Sequence, residues 1–113
     1  MTESDADVAL MRRVQAGKPD AFRELVDRHQ RVVIRTIYRA LGDAWEAEDL
    51  AQRVFLQVYR SAARYRPTAK FTTWLFTIVH NAIRNEQRRR RRHAAQSLDA
   101  LNQAAAEIGR AHV

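Results

Sequence analysis

Amide and guanidinium side chains recur at helical spacing between residues 81 and 92. They are Asn81, Arg84, Asn85, Arg88 and Arg92, at positions i, i+3, i+4, i+7 and i+11. On an α-helix these intervals place all five side chains on one face. Guanidinium groups suit phosphates, whereas amides and guanidiniums suit the edges of bases. The pattern favours nucleic-acid binding over the alternative of a solvated basic helix end that complements the helix dipole.

Aromatic and cationic residues are mixed just before this helix. The cations are Arg64, Arg66 and Lys70, the aromatics are Tyr65, Phe71 and Trp74, and Thr72 and Thr73 lie among them. Unstacked bases stack on aromatic rings while their phosphates meet the positive charges. Phe71 and Trp74 could instead fix this loop to the core. We expect Tyr65 and the three cations to be exposed.

A third group of residues lies on the predicted outer side of the segment 47–62. Its members are Asp49, Gln52, Arg53, Leu56 and Arg60. A leucine among polar groups on an outer face is compatible with a protein partner. From these residues alone, an ordinary solvated face that carries one exposed apolar residue is the favoured alternative.

Enzyme chemistry finds little support in the sequence. There is no cysteine, and neither a G-x-S-x-G, a phosphate-binding glycine loop nor an H-E-x-x-H motif occurs. Glu48 and Asp49 are adjacent, so on a helix they point about 100° apart and do not form a convincing acid–base pair. His29 falls on an apolar stripe, where we expect a packed core histidine. The sequence predicts no catalysis, no cofactor and no metal.

Helical periodicity dominates the elements that must position these residues. Apolar residues predict helices over 5–16, from 20 to Gly42, over 47–62 and from Thr72 or Thr73 onward, and Asp43 with Glu46 predicts a capping box. The predicted buried stripe of the second helix is Phe22, Leu25, Val26, His29, Val33, Ile37 and Leu41. That of the third is Ala47, Leu50, Ala51, Val54, Val58 and Ala62, widened by Phe55 and Tyr59. That of the fourth is Leu75, Ile78, Val79 and Ala82. Short connections between them predict an all-α fold, a compact bundle of three to four main helices.

Composition and charge indicate the size of the domain, its location and the kind of partner it meets. The 113 residues suit one small domain, and the formal net charge is +7 with a pI of about 11.0. Residues 1–7 are acidic and polar, unlike a secretory signal, and no apolar stretch approaches the ~20 residues that span a bilayer. We expect a soluble, cytoplasmic protein whose excess positive charge meets a polyanion.

Four ordered motifs resemble one known family, the bacterial RNA polymerase sigma factors. Residues 47–56 read AEDLAQRVFL, which looks like the helix that binds core polymerase. Residues 70–81 read KFTTWLFTIVHN, which looks like the F-x-T-W-L-x-x-I-x-x-N signature that follows it. The basic run 88–92 comes next, and residues 17–22, GKPDAF, resemble the opening segment. The resemblance covers roughly residues 5–93 and is strongest to region 2 of the extracytoplasmic-function (ECF) subgroup.

The resemblance implies a role in transcription initiation. Asp49, Gln52, Arg53 and Leu56 would face the clamp helices of the polymerase β′ subunit. The loop from Arg64 to Lys70 would hold a base flipped out of the non-template strand of the promoter −10 element, with Trp74 supporting the loop. Asn81, Arg84, Asn85 and Arg88 would contact the −10 region and its backbone. Members of the subgroup are commonly held inactive by an anti-sigma protein, so one is a plausible further partner.

Two features depart from the family pattern. The family usually has an acidic residue where this chain has Arg53, which reverses a charge on the face toward the clamp. Residues 1–93 would form the region 2 domain, and only 20 residues follow His93. We therefore expect residues 94–113 to form an interdomain linker or a short helix, with region 4 absent.

These departures keep other functions open. The rival is a sigma-like interaction module that binds an anti-sigma factor or the clamp without opening DNA. A helix-turn-helix repressor of duplex DNA is less well supported, because duplex readers need no stacking platform.

Overall fold

The computed structural model describes residues 3–111, and all its regular elements are helical. They are α1 (Glu3–Gln15), α2 (Pro19–Leu41), α3 (Ala44–Ser61), a 3-10 turn (Ala62–Arg64) and α4 (Phe71–Ala111). Within residues 3–111 there is no strand, and the predicted all-α fold is confirmed. The predicted ends at residues 1 and 113 lie outside the described residues.

Glycine ends the first two helices, as the sequence predicted. Gly17 and Gly42 adopt φ of 83° and 74°, in the left-handed region that L side chains rarely occupy. The amide of Gly42 donates to the Tyr38 carbonyl at 2.8 Å and closes the last turn of α2. Pro19 begins α2, where its fixed φ suits the first helical position.

The starts of α3 and α4 differ in how well they were predicted. Asp43 caps α3, and its Oδ1 accepts from the Glu46 amide at 2.9 Å, as expected. The prediction that Thr72 or Thr73 caps α4 is wrong, because the helix already begins at Phe71. The Lys70 carbonyl accepts from the Thr73 amide at 3.1 Å, so both threonines lie inside the first turn.

One hydrophobic core joins α1, α2, α3 and the first part of α4. Its buried residues are Leu10, Met11, Val14, Ala21, Leu25, Val33, Ile37, Ala47, Leu50, Ala51, Val54, Phe55, Val58, Ala62, Tyr65, Phe71, Leu75, Val79 and Ile83. The predicted stripes of α2, α3 and α4 are confirmed as buried or partly buried, with one exception. Tyr59 is 55% exposed and touches only the rim, where its ring meets Phe22 edge-on at 5.2 Å.

The chain forms two compact units that divide within α4, between Ile83 and Arg84. The core lies in the first unit. In the second, residues 94–111 continue α4. The prediction that residues 94–113 form an interdomain linker or a short helix stays a prediction. The predicted domain boundary after residue 93 stays a prediction. No helix within residues 3–111 is both long and apolar enough to cross a bilayer.

Candidate nucleic-acid and protein-partner interfaces

The loop that follows α3 is tied to α1 by one side chain. Gln15 Nε2 donates to the carbonyl of Ala62 at 2.8 Å and to that of Tyr65 at 3.1 Å. Arg66 donates to the carbonyls of Ala63 and Tyr65 at 3.3 and 3.1 Å. The Ala62 carbonyl also accepts from the Tyr65 amide at 3.1 Å. Together these bonds fix the loop backbone at residues 62–65.

Tyr65 lies at the base of the loop, and the expectation that it is exposed is wrong. Its side chain is only 2% exposed, and its ring meets Trp74 edge-on at 5.0 Å and Phe71 at 6.1 Å. The 3-10 turn places residues three apart on one side, so Tyr65 follows Ala62 into the core. A buried ring cannot stack on a base, so Tyr65 supports the loop from below. Phe71 is also buried, as expected if it fixes the loop to the core.

The Tyr65 hydroxyl is buried without a hydrogen-bond partner among the described residues. Burial raises the pKa of Tyr65 above its usual value, and the negative charge of Asp7 adds to this rise. The positive charge of Arg12 opposes it. An unpaired buried hydroxyl costs free energy.

A network centred on the buried Asp7 connects α1 to α2, and sequence reasoning missed it. Asp7 is 1% exposed, and its Oδ1 lies 3.0 Å from Arg28 Nε and 2.9 Å from His29 Nε2. The His29 ring meets Phe71 edge-on at 5.3 Å, as expected for a packed core histidine. The available signal was the position of Asp7. It precedes Leu10 by three residues and Met11 by four, which places it on the buried face of α1.

The charged loop side chains point to solvent. Arg64, Arg66 and Lys70 are exposed as expected, Thr73 is exposed, and Thr72 and Trp74 are partly buried. Exposed cations thus surround a loop whose floor is aromatic. This combination suits an unstacked base with its phosphates.

The polar residues predicted on α4 are all exposed. These are Asn81 in the first unit, and Arg84, Asn85, Arg88 and Arg92 in the second. Within the second unit, a shallow cleft of about 400 Å³ is lined by Asn85, Arg88, Arg91 and Arg92. Arg91 was not predicted, although its place in the arginine run could have suggested it.

Two arginines of the same run are engaged within the helix. Arg89 donates to Glu86 at 2.7 Å, and Arg90 Nε lies 3.7 Å from the same carboxylate. Glu86 is only 7% exposed, and its hydrogen bond with Arg89 raises the pKa of Arg89. The arginine run is therefore divided between cations that pair with Glu86 and cations that line the cleft.

The predicted partner face of α3 is exposed, and it carries one residue that sequence reasoning missed. Asp49, Gln52, Arg53 and Leu56 all reach solvent, and Arg53 pairs with Asp49 at 3.2 Å. Trp45, four residues before Asp49, is 80% exposed. An aromatic residue at i−4 of a polar outer face was the available signal.

Comparison with known proteins finds one family and several relatives. The chain matches the family described as Sigma-70 region 2 over residues 25–93. It is 38% identical to the RNA polymerase sigma-H factor of Pseudomonas aeruginosa over 85 residues, which cover 75% of this chain and 44% of that protein. It is 37% identical to the ECF RNA polymerase sigma factor SigW of Bacillus subtilis over 71 residues, covering 63% and 38%.

A solved structure is also similar. It is the NMR structure of an engineered region 2 of sigmaE in complex with GTAAAA, with a TM-score of 0.72 and 32% identity. The likeness covers 82% of this chain and 97% of that chain. The chain spans less than half the length of the two curated relatives.

Proposed function

The chain belongs to the Sigma-70 region 2 family, and we propose that it acts in transcription initiation. In this role it binds core RNA polymerase, recognises the promoter −10 element and helps to melt the DNA. It acts in the cytoplasm, where the polymerase and the chromosome are, and it catalyses no reaction of its own. An anti-sigma factor that covers the same surfaces is a further proposed partner.

The observation that carries this proposal is the anchored loop between α3 and α4. Its backbone is fixed by Gln15, its floor is aromatic, and its exposed side chains include Arg64, Arg66 and Lys70. Extruding a base costs a few kcal/mol of stacking, which contacts in a pocket must offset. A loop that is already ordered loses little conformational entropy when the base arrives. The similar structure is an engineered region 2 of sigmaE in complex with GTAAAA, which supports nucleic-acid binding by this fold.

We assign roles along α4 in the same way. Thr72, Thr73 and Asn81 read or position bases, with Trp74 supporting the loop. Arg84, Asn85, Arg88 and Arg92 hold the backbone, and Arg91 joins them because it lines the same cleft as Arg88. Charge-assisted bonds to phosphate would make affinity steeply dependent on salt.

The outer face of α3 is the proposed polymerase surface. Asp49, Gln52, Arg53 and Leu56 would meet the β′ clamp helices. All four are exposed, and the opposite side of α3 is buried in the core.

The deciding experiment measures binding to a labelled single-stranded −10 library at two salt concentrations. Wild type, Asn81→Ala and the control Asn102→Ala are compared; Asn102 is an exposed asparagine of α4 outside the proposed set. We expect salt-dependent binding with a preference at one or two bases, which Asn81→Ala reduces and Asn102→Ala leaves intact. If binding shows no base preference and Asn81→Ala does not change it, the arginines form only an electrostatic patch.

Arg53 favours the second candidate function, a sigma-like interaction module without DNA opening. The family usually has an acidic residue at position 53. Here the Arg53 guanidinium pairs with Asp49 on the partner face instead. Titration against a β′ clamp-helix fragment and against −10 single strand separates the two functions. Clamp or anti-sigma binding without base preference supports the module.

A further inference from the structure

Trp45 is exposed to an unusual degree for its type. At 80% exposure it exceeds every other large apolar side chain among the described residues, including Leu101 at 68%. An indole carries a large apolar surface that folding normally buries. Its backbone lies in the first turn of α3, which the Asp43 side chain caps. The fold therefore presents this ring to solvent from the start of a capped helix.

Three polar side chains complete a small cleft beside the ring. Glu48, Asp49 and Gln52 line it together with Trp45, and its volume is about 100 Å³. They follow Trp45 at i+3, i+4 and i+7, the spacing of one helix face. The four lining residues thus provide one π face, two carboxylates and one amide.

This set of groups selects its ligand by charge. The face of an indole attracts cations, and carboxylates accept charge-assisted hydrogen bonds from them. A phosphate would be repelled by Glu48 and Asp49. A purely apolar group would desolvate both carboxylates without compensation. A guanidinium suits this set of groups, because its flat face stacks on the indole while the N–H groups at the guanidinium edge donate to a carboxylate.

The carboxylates are available for such a cation. Glu48 has no ion-pair partner within residues 3–111. Asp49 is paired with Arg53, but the two side chains are 58% and 56% exposed. Surface pairs of this kind contribute little free energy and exchange readily for a better partner.

We infer that the cleft of Trp45, Glu48, Asp49 and Gln52 receives one arginine side chain of core RNA polymerase. The inference rests on the proposed function and deepens it, because Asp49 and Gln52 belong both to the cleft and to the proposed polymerase surface. Trp45 is then an anchor residue at the edge of that surface, where tryptophan and arginine are the residue types that most often dominate binding.

The test compares the affinity of core RNA polymerase for wild type, Trp45→Ala and Tyr38→Ala. Tyr38 is a 48% exposed aromatic residue of α2 outside the cleft. We expect roughly thirtyfold weaker binding for Trp45→Ala, the lower end for an anchor residue, and no change for Tyr38→Ala. Unchanged melting temperatures and helical circular dichroism verify that both variants fold, as the exposure of the two side chains predicts.

Two more variants test the cation itself. Trp45→Leu keeps apolar surface but removes the π face, and Glu48→Gln keeps shape but removes charge. We expect both to weaken binding, and Glu48→Gln to make it less sensitive to salt. Wild-type affinity for Trp45→Leu would show a merely apolar contact and would overturn the inference.

A last variant separates this inference from the proposed function. Leu56 belongs to the proposed polymerase surface but not to the cleft. If Leu56→Ala weakens polymerase binding and Trp45→Ala does not, the cleft inference fails and the polymerase surface stands. If neither variant changes the affinity, the polymerase surface on α3 fails as well.

Discussion

Gln15 and Tyr65 lie 50 residues apart in the sequence, and a hydrogen bond of 3.1 Å joins the Gln15 amide to the Tyr65 carbonyl. The same amide also reaches the Ala62 carbonyl at 2.8 Å. One side chain of α1 therefore holds the backbone on which the proposed base pocket is built. The shape of that pocket depends on a helix that itself contributes no proposed DNA contact.

Gln15→Ala tests this dependence. Losing two hydrogen bonds should lower the free energy of unfolding by about 1–2 kcal/mol, measured by urea denaturation. It should also reduce base preference on −10 single strand while the salt dependence of binding is kept, because the loop loosens and the cations remain. Gln57→Ala is the matched control, since its bond to Ser61 at 2.9 Å lies within α3. Equal base preference in both variants would mean that the pocket does not need the anchor.

Asp7→Ala should be more damaging to stability. The substitution leaves Arg28 and His29 without the carboxylate that both contact. We expect a loss of about 3 kcal/mol, the lower end for breaking a buried ion pair, because the Arg28 side chain is 32% exposed and can rehydrate. Asp27→Ala, at an exposed position of α2, is the control. A loss below that of the control would show that the network is not stabilising.

Tyr65→Phe should stabilise the protein at neutral pH. The hydroxyl is buried without a partner among residues 3–111, so its removal ends a desolvation penalty of about 1 kcal/mol. Thermal unfolding at pH 7 measures the change. A less stable variant would show that the hydroxyl does find a partner, such as a bound water.

The same substitution should change the response to alkali. Burial raises the pKa of Tyr65 in the folded state above its usual value of 10.0. Above pH 10 the unfolded chain releases this proton while the folded chain retains it, so stability falls as pH rises toward the folded pKa. We expect this fall in wild type and a smaller one in Tyr65→Phe. Parallel curves of unfolding free energy against pH would exclude a role for Tyr65.

Arg53→Glu should strengthen binding to core polymerase several-fold. Arg53 pairs with Asp49 and places a positive charge beside the cleft that we assign to an arginine. Replacing it with glutamate removes that repulsion and releases Asp49. The exposed Arg23 provides the control Arg23→Glu, which changes net charge equally on α2. Weaker binding by Arg53→Glu alone would mean that Arg53 meets an acidic group of the polymerase.

Arg88→Gln should weaken binding to single strands of any sequence alike. One phosphate contact fewer reduces the slope of log affinity against log salt by about 0.7 for single strands. Base preference should remain. Arg110→Gln, an exposed arginine near the end of α4, controls for net charge. A change in base preference with Arg88→Gln would reassign this residue from the backbone to a base.

The helices and the family follow from local patterns in the sequence. Apolar residues three and four apart identify the buried stripe of each helix, and Gly42 and Asp43 mark where α2 ends and α3 begins, because caps and periodicity are properties of neighbouring residues. The motifs at 47–56 and 70–81 are likewise contiguous. They led to region 2 of a sigma factor before any contact between helices was known.

Which side chains of the candidate sites are covered depends on contacts between helices. Tyr65 looked like an exposed aromatic residue of a basic loop, but α1 and the start of α4 close over it. Trp45 was passed over, and it is 80% exposed because it lies on the same outer side of α3 as Asp49 and Gln52, whereas Ala47 is buried. Asp7 meets Arg28 and His29 through a pairing of α1 with α2. Burial depends on elements that are distant in the sequence, and local periodicity carries no information about which of them meet.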